Sequence, residues 1–248
     1  MHRIGALLVV LGTFVAMDAA GQEPLRLATG EDYSPWVDSN RPDGGLAIKL
    51  IRQIEREMGM PIEIHYVPWT RAEIIADRGD VHGIFPYVRS PQRETRFTFS
   101  RPFFTVVEAY WAMAGRPEAS AQDLSDLAGG FVCVPRGFAV PEVLRLSQLA
   151  GEVDLSQPQT MSDCLRALAD GTTQLVVANT PLIAAWQRMR GPTAAQVVQT
   201  AIPSRLNPHF ILWGAKGQPF AEQVDLALER LATKGAITAI EREANSPN

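Results

Sequence analysis

The stretch VRSPQRETRFTFSRPFF, residues 88–104, sets Arg89, Arg93, Arg96 and Arg101 among serine, threonine and phenylalanine. Arginine offers a planar fork of N–H donors that matches a carboxylate, and a loop leaving a strand adds free backbone N–H groups. PYVRSPQRE thus has the residue types of an anion site; the competing reading is that the arginines simply solvate the surface. Catalytic chemistry finds less support. The chain contains no G-x-S-x-G, H-E-x-x-H or G-x-x-x-x-G-K motif. His65, His82 and His209 are scattered without metal-ligand spacing and read as surface or core histidines. Cys133 lies in an apolar segment with no partner motif that would make it a nucleophile. No catalytic residue, metal or cofactor is expected.

The elements that would position such a site alternate in type. LRLAT (25–29), PIEIHYV (61–67) and VHGIF (81–85) read as strands, and the segments 45–59 and 69–79 between them read as helices ending in glycine. The first helix carries Ala47, Leu50, Ile51, Ile54 and Met58 on one face. After a longer β-like run at 104–115 a second series follows. Strands are expected at 131–134 and 174–179, and helices at 139–151, 161–171 and 180–191, with Ser162 or Thr160 capping the second of these. Ile211, Leu212 and Trp213 form a last strand before a helical end. This is an α/β chain of two units, each a mostly parallel sheet covered by helices. Ligands of such sheets bind at the carboxyl ends of the strands, here in the cleft between the units. The loops 30–36, 86–93, 135–139 and 179–181 are therefore where binding residues are sought.

With 248 residues, 46% of them hydrophobic, the chain has ample core for one large domain or two lobes. Its net charge is −4, from 23 basic and 27 acidic residues, without a long block of one sign, so a nucleic-acid partner is not expected. Residues 1–21 have the layout of a cleaved signal peptide: Arg3, an apolar run from Ile4 to Met17, then Ala19, Ala20 and Gly21. An uncleaved anchor is the alternative, though a membrane span needs about 20 apolar residues. The mature chain is expected in the periplasm. In that oxidising compartment Cys133 and Cys164 suit a disulfide; two separate buried thiols are the other reading. No exposed apolar stripe calls for a partner, so a monomer is expected.

SPQRETRFTFSRPFF resembles the signature of family-3 extracellular solute-binding proteins, the periplasmic amino-acid-binding components of ABC importers. The resemblance extends over DYSPW (32–36), 45–59, 67–84, 123–137 and 161–179. It implies a two-lobed, periplasmic-binding-protein-like (type II) fold. Lobe 1 would take residues 22–104 and 207–248, lobe 2 residues 105–206, and a membrane permease would be the partner. Arg93 then matches the clamp on a ligand carboxylate, with Arg89 as a second contact. Tyr33 matches an aromatic that packs on the ligand. Trp69 falls on an apolar cleft position, with core packing as its alternative. The turn at Gly137, Phe138 and Ala139 matches the second lobe's contribution. Members that bind amino acids usually carry an Asp where Asn179 stands, to meet the ammonium. Pro86, Val88 and Phe138 replace hydroxyl-bearing residues. The expected ligand is thus a small anion or amino-acid-like solute in a more aromatic, less charged pocket. Cyclohexadienyl-type dehydratases share this fold and form a second reading, with Glu31 and Asp32 as candidate acids; a stand-alone sensor for a membrane receptor is a third.

Overall fold

The structure is a computed structural model that describes residues 23–191 and 193–245. The expected signal peptide, residues 1–21, lies outside them. Strand β1 (Leu25–Thr29) leads into a hairpin of β2 (Asp32–Tyr33) and β3 (Val37–Asp38). Helix α1 (Leu46–Met58) buries Ala47, Leu50, Ile51 and Ile54 along one stripe and stops at Gly59. β4 (Ile62–Tyr66), α2 (Trp69–Asp77) and β5 (Gly83–Tyr87) follow. Every residue of β5 is buried, which is why it reads as an unbroken apolar run. A one-turn helix, α3 (Pro91–Glu94), and β6 (Thr98–Phe99) connect to the long strand β7 (Phe104–Met113). The second series is β8 (Phe131–Cys133), α4 (Glu142–Leu149), β9 (Asp154–Ser156), α5 (Met161–Asp170), β10 (Leu175–Asn179), α6 (Thr180–Arg190) and β11 (Val197–Gln199). β12 (Arg205–Trp213), α7 (Gln218–Thr233) and α8 (Ala236–Asn245) end the described chain.

The sheet runs in the order β4-β1-β5-β12-β7-β10-β8-β9. β1 is parallel to β4 and β5, and β8 is parallel to β9 and β10, so each end of the sheet is a parallel α/β unit. The units meet at β12 and β7, which pair antiparallel from Arg205↔Glu108 to His209↔Phe104. Beyond His209, β12 goes on to pair with β5 and β6. The expected α/β fold of two lobes is thus the one observed.

Some elements differ from expectation for local reasons. Pro141 is the N-cap of α4, so the helix begins at Glu142 rather than in the 139–141 segment. Thr160, not Ser162, caps α5: its Oγ1 accepts from the Asp163 N–H at 3.1 Å. β12 begins at Arg205, ahead of the apolar triplet 211–213, because its first half pairs with β7 while burying the polar Asn207 and His209. Val143, Leu146 and Leu149 lie exposed along α4, an apolar stripe that the sequence reading did not anticipate, and it removes the ground on which a monomer was expected.

Cys133 and Cys164 are joined by a disulfide with an S–S distance of 2.00 Å, which ties β8 to α5. The reading as separate thiols is therefore set aside. The bond closes a loop across a separation of 31 residues, worth about 3–4 kcal/mol in the chain-entropy account. Replacing both cysteines by alanine should lower the melting midpoint by roughly 10 °C, read by circular dichroism; an unchanged midpoint would contradict a stabilising role.

Candidate ligand-binding site

Arg93 is carried by α3. Ser90 caps this turn, its Oγ accepting from the Arg93 N–H at 3.3 Å, and Pro91 supplies a helical φ at the first position. The turn directs the guanidinium inward, where Arg93 is only 6% exposed. Nε and Nη2 donate to Glu73 Oε1 at 3.1 and 3.0 Å, and Nη1 donates to the Val88 carbonyl at 3.0 Å. Nη2 also crosses the cleft to the Gly137 carbonyl at 2.7 Å. Of the five N–H groups of a guanidinium, these bonds leave one on Nη1. The Tyr87 ring lies beneath, 4.7 Å from the guanidinium carbon.

Aromatic rings build the wall beside it. Trp69, at the start of α2, meets Tyr87, Phe138 and Tyr33 edge to face, with centroids 5.4, 5.7 and 6.1 Å apart. Tyr33 meets Phe138 at 5.5 Å. Two glycines make room for the indole. A β-carbon at Gly30 would fall 2.0 Å from Trp69 Cε2, and one at Gly137 would fall 2.5 Å from Trp69 Cβ, where φ is also +84°. The indole is oriented by Asp32, whose Oδ1 accepts from Trp69 Nε1 at 2.9 Å. Asp32 Oδ2 accepts from the Met161 N–H at 2.6 Å, at the first turn of α5. One carboxylate therefore joins the two lobes. Burial raises its pKa, and the Met161 and Trp69 bonds oppose that rise.

The floor comes from the hinge strands. His209 and Asn207 on β12 and Glu108 on β7 line the same cavity as Tyr33, Trp69 and Arg93. The Tyr33 hydroxyl accepts from Asn179 Nδ2 at 2.9 Å and lies 2.9 Å from His209 Nε2, to which its own proton is free to donate. Burial raises the Tyr33 pKa and pushes His209 down to about 4, so this relay is neutral near pH 7. Glu108 Oε2 accepts from Arg205 Nε at 2.6 Å and from Arg205 Nη2. Burial raises the Glu108 pKa against the pull of Arg205. The cavity leaves about 40 Å³ of space for bound molecules and adjoins a wider mouth bounded by Glu73, Glu142 and Arg145.

Tyr33, Trp69, Val88, Arg93 and Phe138 come together on this cavity. Arg89 and Asn179 do not line it. Arg89 lies over the Phe99 and Phe210 rings and pairs with Glu94 at 3.2 Å. Asn179 Oδ1 caps α6 by accepting from the Leu182 N–H at 3.0 Å and its Nδ2 donates to the Tyr33 hydroxyl, so its amide is engaged behind the cavity wall. Arg96 pairs with Glu73 and Asp77, and Arg101 with Glu229, outside the cavity. Glu108, His209, Asn207 and Tyr87 were not singled out for binding from sequence. Glu108 had one visible sign: it is the charged residue within FTVVEAYWAM, an otherwise neutral β run. His209 precedes the apolar triplet from which the last strand was read. Among the described residues no group of three or more His, Cys, Asp or Glu is placed to hold a metal ion. No helix among them is long and apolar enough to cross a membrane.

Residues 25–244 match the family described as bacterial extracellular solute-binding proteins, family 3. No curated protein matches the chain in sequence. Among solved structures, it is similar to an amino acid ABC transporter substrate-binding protein from Streptococcus pneumoniae bound to L-arginine. That match has 18% identity and a TM-score of 0.75, over 89% of this chain and 94% of the other. A histidine kinase sensor domain with similarity to periplasmic binding proteins matches at 22% identity and a TM-score of 0.78, over 90% and 96%. An ancestral amino-acid-binding protein, described as a precursor of cyclohexadienyl dehydratase, matches at 17% identity and a TM-score of 0.71, over 89% and 94%. At these identities the likeness is one of fold.

His209 supplies a pH test of the relay. Its folded pKa of about 4 lies below the ordinary 6.5, so its contribution is present above pH 6.5 and is lost as pH falls toward 4. At pH 4.5 the loss is roughly 2–3 kcal/mol. Wild-type melting should therefore fall more steeply than that of His209→Gln between pH 7 and pH 4.5. Parallel profiles would contradict a buried neutral imidazole.

Proposed function

Because the chain belongs to the family-3 bacterial extracellular solute-binding proteins, we propose that it captures a small solute in the periplasm and delivers it to the membrane permease of an ABC importer. The solute is anionic or amino-acid-like and is held between the lobes. The observation that carries this reading is Arg93, a buried guanidinium that lines the cavity from one lobe and reaches the Gly137 carbonyl of the other. A ligand carboxylate that displaces this carbonyl gains a charge-assisted bond in its place. Closure then follows from the ligand touching both lobes. The lobe division at residues 22–104, 105–206 and 207–248 belongs to this reading. It is supported by the β7–β12 pair, where the two halves of the sheet meet. Export through residues 1–21 belongs to it as well.

A second reading, dehydration of a cyclohexadienyl acid, has one observation in its favour. Glu108 lines the cavity, and burial raises its pKa, as a general acid requires. Of the two acids considered from sequence, Glu31 is exposed and does not line the cavity, and Asp32 has both carboxylate oxygens engaged. Turnover of prephenate or arogenate, followed by product absorbance, separates the two readings.

A thermal-shift screen of the mature chain against amino acids and aromatic and aliphatic carboxylates at ~1 mM should give a stabilising ligand. At a micromolar Kd the gain is ~4 kcal/mol. Arg93→Ala should weaken that ligand roughly 30-fold or more, with Arg93→Lys between the two. Affinity retained within about threefold in a folded Arg93→Ala variant would remove Arg93 from the site.

A further inference from the structure

We propose that Asp32 is a latch between the lobes: its one carboxylate completes the cap of a second-lobe helix and orients the first-lobe tryptophan, so the lobes close on bonds made by the chain itself. The assignment deepens the solute-binding reading above and rests on it for its consequence, the retention of a captured solute.

The first turn of α5 shows what the latch supplies. A helix begins with four N–H groups that have no partner inside it. Thr160 Oγ1 accepts from the Asp163 N–H at 3.1 Å, and the Thr160 carbonyl accepts from the Cys164 N–H at 3.4 Å. The Met161 N–H is met from the other lobe, by Asp32 Oδ2 at 2.6 Å. A carboxylate at this end of a helix also faces the positive pole of the helix dipole. Parting the lobes would strip an acceptor from α5 and a donor from Asp32 in one motion.

Position separates this bond from others between the lobes. The bond from Arg93 to the Gly137 carbonyl, 2.7 Å long, lies on the cavity wall, where on the proposed reading a ligand carboxylate replaces it. The bond from Asn179 Nδ2 to the Tyr33 hydroxyl, at 2.9 Å, joins two neutral groups. Neither Asp32 nor Met161 lines the cavity. Their bond is charge-assisted, and a solute in the cavity does not compete for it.

The latch also closes a ring of contacts. Asp32 Oδ1 accepts from Trp69 Nε1 at 2.9 Å, and the Trp69 ring meets Phe138 edge to face at 5.7 Å. Phe138 lies in the turn that follows β8. β8 carries Cys133, whose disulfide partner Cys164 sits one turn along α5 from Met161. The covalent link couples α5 to the Phe138 turn, so holding α5 also holds Phe138 against the indole. Asp32 is thus a positioning residue for both aromatic walls and does not itself touch the solute.

The test needs no solute. Spin labels at Arg71→Cys on α2 and Gln148→Cys on α4, both exposed, report the distance between the lobes of the mature chain by pulsed electron resonance. The chain's own two cysteines are bonded to each other and take no label. The labelled parent should populate a closed separation. Asp32→Ala should lower its closed-to-open ratio about tenfold or more, and the Trp69 indole proton, followed by NMR, should exchange with solvent faster by a similar factor. The isosteric Asp32→Asn, which keeps one acceptor, should lower the ratio about threefold or more, and it carries the test if circular dichroism shows Asp32→Ala unfolded. A parent with the open separation alone, or a ratio changed by less than about twofold in a folded variant, overturns the latch. Failure of the thermal-shift screen would overturn the solute-binding reading and leave this lobe contact to be judged by the distances.

Discussion

A guanidinium removed from water needs acceptors for its N–H groups, and Arg93 finds them for four of its five, in three places. Glu73 comes from α2, the Val88 carbonyl from the segment after β5, and the Gly137 carbonyl from the other lobe. None of these bonds is local to the turn that carries Arg93, so the turn, α2 and the second lobe must all be in place for the charge to be tolerated. Glu73 is itself shared with Arg96, which ties the exposed end of α2 to the same network. The Gly137 bond has a further consequence. It holds the second lobe against the first beside Arg93, so on the proposed reading the protein's own carbonyl occupies part of the place of a ligand carboxylate.

The hinge strands supply what the loops do not. In β7 and β12 the chain passes between lobes, and Glu108, Asn207 and His209 project from that passage into the cavity. The loop residues Phe138 and Gly137 approach from one side, and Trp69 and Arg93 from the other. Asp32 links these sides, its two oxygens accepting from Trp69 Nε1 of the first lobe and the Met161 N–H of α5. The cavity thus combines a polar floor from β7 and β12 with walls drawn from both lobes.

Much of the architecture was legible from periodicity, because the helices carry clear apolar stripes and several end in glycine. Arg93 was singled out by the family resemblance of SPQRETRFTFSRPFF; residue types alone left it level with Arg89, Arg96 and Arg101. The polar floor was hidden for a physical reason. Glu108 sits in a run whose β-character is set by Val, Tyr and Trp, and one acid in such a run reads equally as an edge charge. Its burial follows from the pairing of β7 with β12, a contact between residues 97 apart for Glu108 and Arg205. His209 has the same origin. Asn179 shows the opposite limit: its place at a strand end was read correctly, but the cap it forms on α6 decides where its amide points, and that is settled by the next turn of backbone.

The central claim is that a small carboxylate-bearing solute closes the lobes through Arg93. The most direct measurement is a crystal structure of the mature chain with the tightest ligand from the screen. The account predicts a ligand carboxylate within hydrogen-bond reach of the Arg93 guanidinium, with the Gly137 carbonyl displaced from Nη2. A ligand seated elsewhere, with the bond between Arg93 and Gly137 intact, would contradict it.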